Sequence, residues 1–67
     1  MSEKEFLKGV ANNIRNARIK AGKSQAEVLQ ETGINIARIE KYAPSIHLHI
    51  YYKICEYLGI QVNIGFL

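Results

Sequence analysis

A chain of 67 residues with a formal charge of +3 makes one domain, at the small end of what a hydrophobic core holds together unaided. Nearly half of its residues are apolar and 22% are charged, which excludes a disordered polar chain, and no apolar run approaches the roughly 20 residues that span a bilayer. Cys55 is the only cysteine, so an internal disulfide is excluded and a reducing interior is expected; the charged opening Ser2-Glu3-Lys4-Glu5 is not that of a secretory signal, so we expect a cytoplasmic chain with no membrane partner.

Ser2 with Glu5 reads as a capping box that opens a first helix. Leu7, Val10, Ile14, Ala17 and Ala21 follow at steps of three and four and mark its inner face, while Lys4, Lys8, Asn12 and Arg15 fall toward water. Gly9 inside this helix is unfavourable by about 1 kcal/mol against alanine, so the start can slip to Val10; Gly22 is its stop. Ser24-Gln25-Ala26-Glu27 is a second capping box, opening a helix that carries Val28, Leu29 and Thr32 and ends at Gly33. Asn35 suits the N-cap of a third short helix, with Ile36, Ile39 and Ala43 facing one way and Asn35, Arg38 and Lys41 the other. Pro44 and Ser45 break the chain. A fourth helix begins near His47, with Leu48, Tyr51, Cys55 and Leu58 as its buried stripe, Ile50 and Ile54 widening it, and Gly59 as its cap. Ile60, Val62 and Ile64 then alternate with Gln61 and Asn63, a strand pattern with no second strand to meet, so the tail at 60–67 is expected to pair with the tail of a second copy.

Eight of the nine basic residues lie at or before Lys41, and beyond it only Lys53 and Glu56 are charged. A basic front and a nearly neutral back suggest that the front meets a polyanion and the back meets protein. Within 23–42, two short helices flank a tight turn at Gly33, the layout of a helix-turn-helix. That geometry suits DNA because the second helix protrudes into the major groove while the first crosses the backbone. Other chemistries lack their parts. His47 and His49 stand two apart with no cysteine or carboxylate nearby, too few ligands for a metal site. Cys55 falls on an apolar stripe and reads as a small core residue, with no histidine base or oxyanion site to make it a nucleophile. Tyr51, Tyr52 and Tyr57 read as packing or interface residues. Neither an enzyme nor a cofactor is expected.

Ile14-Arg15-Asn16-Ala17-Arg18, Ser24-Gln25-Ala26-Glu27-Val28, Thr32-Gly33-Ile34, Arg38-Ile39-Glu40 and Ile54-Cys55-Glu56-Tyr57-Leu58-Gly59-Ile60 together resemble the phage repressor and Cro type of helix-turn-helix, the XRE family. The resemblance covers most of 10–60 and implies a lambda repressor-like fold. It implies that Gln25 reaches the DNA backbone, that Ser24 caps the second helix beside amides able to hold a phosphate, and that Arg18 and Glu40 form a structural salt bridge between the first and third helices. The chain departs from the family pattern between Gly33 and Arg38-Ile39-Glu40, where it is shorter by about three residues, which implies that the third helix docks differently in the groove. The tail resembles that of family antitoxins that pair C-terminal strands across a dimer.

The expected fold is therefore all-α, a small helix-turn-helix bundle of four to five helices over a single domain 1–67, with a short C-terminal strand or extended tail as the dimerisation segment. The expected function is sequence-specific binding of double-stranded DNA by a homodimeric transcriptional repressor of a prokaryote or phage. Lys23, Ser24, Gln25, Asn35, Ala37, Arg38 and Lys41 are the expected DNA contacts: Asn35 and Arg38 for bases, Ala37 for a thymine methyl, and Ser24, Gln25, Lys23 and Arg15 for phosphates. An antitoxin that also holds a toxin, and a protein-interaction module that has lost DNA binding, are the competing readings.

Overall fold

In the computed structural model, which describes residues 2–42 and 46–60, the chain forms α1 (Glu3–Lys20), α2 (Gln25–Thr32), α3 (Ile36–Tyr42) and α4 (Leu48–Leu58). Every regular element among the described residues is an α-helix, and the fold is all-α. Ala43, Pro44 and Ser45, and with them the expected break after the third helix, lie outside the described residues, as does the tail at 61–67 on which the strand pairing depends.

Local chemistry sets each helix end. Ser2 Oγ accepts the Glu5 N–H at 3.1 Å, and α1 starts at Glu3 and runs through Gly9 rather than slipping to Val10. The cap, together with Glu3 and Glu5 at the positive end of the helix, outweighs the glycine penalty. At the other end Gly22, with φ 73°, lets Lys23 N–H reach Arg18 O at 3.1 Å and its own N–H reach Ile19 O at 3.0 Å, a Schellman closure. The capping box on α2 is complete: Ser24 Oγ accepts the Glu27 N–H at 3.0 Å, and the Glu27 carboxylate accepts the Ser24 N–H at 3.1 Å.

The turn between α2 and α3 is short and held at every step. Gly33, with φ 76°, donates to Leu29 O at 2.8 Å. The Thr32 hydroxyl donates to Val28 O at 2.7 Å and accepts the Ile34 N–H at 3.1 Å. Asn35 Oδ1 then accepts the Arg38 N–H at 3.3 Å and caps α3, as its residue type predicts.

Ile14, Val28, Ile34, Ile36, Ile39, Ile54 and Leu58 make one core, with α1 packed on α3 and α4 and α2 packed on α3. Ile36 is wholly buried, as core rather than reading face, and Cys55 is buried as a free thiol. Two expected core positions, Ala21 and Leu48, are corrected, and Leu29 also faces solvent. Ala21 is exposed at the C-cap of α1, beyond the turns that α3 and α4 cover. Leu29 is largely exposed because α2 contributes one buried side chain, Val28, and is packed only along that edge. Leu48 is 83% exposed: it is the first residue of α4, and Ile46 ahead of the helix packs against that end of the core in its place. Conversely, Ala11 and Ile34 are buried without having been placed there, Ile34 because the turn points it inward.

Candidate nucleic-acid interface

Glu40 on α3 joins three helices. Arg18 on α1 donates to its carboxylate twice, from Nε at 2.7 Å and from Nη2 at 3.1 Å, in the two-pronged geometry a guanidinium favours. Gln25, the first residue of α2, donates to the same carboxylate from Nε2 at 3.1 Å. Arg18 Nη1 adds a bond to Lys23 O at 2.9 Å, so the loop before α2 hangs from the same side chain. The bonds to Glu40 hold the Arg18 guanidinium above its ordinary range despite partial burial. The salt bridge expected between Arg18 and Glu40 is present, and Gln25, expected on the DNA backbone, is tied into it. An amide nitrogen carries two hydrogens, and the bond to Glu40 uses one.

Around this hub Arg15, Arg18, Ser24, Gln25, Ala37, Glu40 and Lys41 line an open groove of about 530 Å³ between α1, the start of α2 and α3. Four of the expected contact residues, Ser24, Gln25, Ala37 and Lys41, thus share one depression with Arg15. The closed capping box engages the amides of Ser24 and Glu27, which leaves those of Gln25 and Ala26 as the first-turn donors outside the helix ladder. Along α3, Asn35, Arg38 and Lys41 are exposed and Ala37 is half-buried, while Ile36 and Ile39 face the core. The two sides of α3 are therefore separated as the spacing predicts.

The Lys23 side chain is engaged elsewhere. Its Nζ lies 3.4 Å from Glu31 Oε1 on α2 and 5.7 Å from the centre of the Tyr57 ring on α4, and the Tyr57 hydroxyl donates to the same Glu31 oxygen. The nearby Glu31 charge, with Tyr57, raises the Lys23 pKa. The Tyr57 hydroxyl, with Lys23 behind it, holds Glu31 below the ordinary carboxylate range, and the same hydrogen bond raises Tyr57. This cluster locks the α1–α2 loop and α2 onto α4. Nothing in the local pattern around Glu31 or Tyr57 announces it, since the partners are 26 residues apart. At the start of α4 the rings of His47 and His49 stack at 5.7 Å.

Compared with protein-family models, curated proteins and solved structures, the chain matches none.

Proposed function

We propose that this chain is a sequence-specific double-stranded DNA-binding regulator that acts as a homodimer and represses transcription. The observation that carries the reading is the exposed edge of α3, with Asn35, Arg38 and Lys41, beside the Ser24–Gln25 end of α2 across a turn fixed at Gly33. On this reading α3 enters the major groove, Asn35 and Arg38 meet base edges, and Arg15, Ser24, Gln25 and Lys41 meet phosphates. Lys23 takes a smaller share, because its ammonium is paired with Glu31. Two copies would read half-sites about 34 Å apart. Exposed Leu48 and Tyr52, one turn apart on α4, support a protein partner on the neutral half of the chain. In the antitoxin reading that partner includes a toxin, and a toxin-like reading frame beside the gene would favour it.

The test is binding to random and selected duplexes across a salt series. Wild type is expected to bind with a salt-dependent affinity, and Arg38→Ala to lose about 1–3 kcal/mol on the selected site, with less loss on random duplex. Absence of any salt-sensitive affinity at low salt would refute the reading and leave the protein-interaction module.

A further inference from the structure

Lys4 and Lys8 stand one turn apart on the first half of α1, and with Leu7, Ala11 and Asn12 they form one wall of a second open groove of about 590 Å³, whose other wall is Lys41 and Glu40 of α3. Glu3 also lines it. Of the two carboxylates, that of Glu40 is neutralised by Arg18. Among the described residues no hydrogen bond or ion pair engages the Lys4 or Lys8 ammonium. This groove shares Glu40 and Lys41 with the groove that holds Arg15, Ser24 and Gln25, so the two meet at the end of α3, with successive parts of α1 lining each. From Lys4 to Arg15 the helix advances about 16 Å at 1.5 Å per residue. The major groove is about 12 Å wide. A helix whose charges span more than the groove's width is long enough to meet phosphates on both banks when it lies across the groove.

We infer that Lys4 and Lys8 form a second phosphate-binding site for duplex DNA, on the strand across the major groove from the one held at Arg15 and the start of α2. The inference rests on the DNA-binding reading above. It assigns α1 a direct electrostatic role, with Lys4 and Lys8 each neutralising one backbone phosphate and neither reading sequence.

The experiment compares the salt dependence of affinity for wild type, Lys4→Ala/Lys8→Ala and Lys20→Ala/Lys53→Ala, on both random and selected duplex. Both double variants remove the same charge from exposed helix positions where alanine is well accepted. Lys4→Gln/Lys8→Gln serves as a second form of the first pair, and thermal unfolding of each variant reports folding. The expected result is a slope of log K against log salt shallower by about 1.8 per protomer, about 3.6 for the bound homodimer, for the Lys4/Lys8 pair, with equal weakening on the two duplexes and little change for the Lys20/Lys53 pair. An unchanged slope for the Lys4/Lys8 pair, or an equal change in both pairs, overturns the site while leaving the DNA reading in place. A wild type without duplex affinity overturns both.

Discussion

The side chain of Asn35 accepts the Arg38 N–H at the start of α3, and the residue stays exposed at the tip of the turn. A capping role and a base-reading role therefore meet in one amide, and they separate by substitution. Asn35→Ala is expected to lose about 1 kcal/mol of stability in a urea titration, whereas Asn35→Ser keeps a capping oxygen and most of the stability. If Asn35 also reads a base, both variants lose affinity for the selected duplex, and stability and binding part company in the serine variant. A serine variant that regains both would leave Asn35 as a cap alone. At this scale the sequence was legible wherever a residue acts on near neighbours, as at Ser24, Glu27 and Asn35. The Arg18–Glu40 pair was legible only through the resemblance, since nothing local connects residues on α1 and α3. The pairing of Lys23 was not legible, because its partners, Glu31 and Tyr57, come close only after α2 and α4 have packed.

At the scale of the helix, two glycines make opposite demands. Gly9 lies inside α1 with open space where a Cβ would go, and it keeps ordinary helical backbone. Gly9→Ala is expected to stabilise the chain by about 0.5–1 kcal/mol. Gly33 has equal room but a φ of 76°, so Gly33→Ala is expected to destabilise by about 1–2 kcal/mol through backbone strain alone, and to disturb DNA affinity because α3 hangs from that turn. Thermal unfolding of the two variants side by side checks both signs. Helix order and ends were readable because caps and left-handed glycines are written into short stretches. The inner faces were less so: a period predicts direction but not how far a neighbouring helix extends, and hence Ala21 and Leu48 point to solvent. Ile34 belongs to no helical period and entered the core through the turn.

For the molecule as a whole, the Lys23–Glu31–Tyr57 cluster and the Glu40 hub tie the four helices together from two sides. Glu31 is held below its ordinary value of 4.5, so the stability it adds is present above that value and lost as pH falls through the lowered one. Lys23 and Tyr57 are raised from 10.5 and 10.0, so their contributions hold below those values and fade only as pH climbs through the raised ones. Urea titrations are expected to show a plateau through neutral pH and a fall in acid, and Glu31→Gln is expected to be less stable at pH 7 but to lose less between about pH 5 and pH 3. An acid limb identical to that of wild type would remove Glu31 as its source. All-α architecture followed from spacing; the long-range ties did not, because they join side chains from separate helices. The hub also divides labour within α3. Asn35, Ile36, Ile39 and Glu40 anchor it, while the exposed side chain of Arg38 lies outside those anchoring contacts. The outward position at 38 can therefore be rewritten while the anchors stay constant, which makes this small chain a scaffold whose target preference can diverge, in a laboratory library or in a lineage, without the fold being renegotiated.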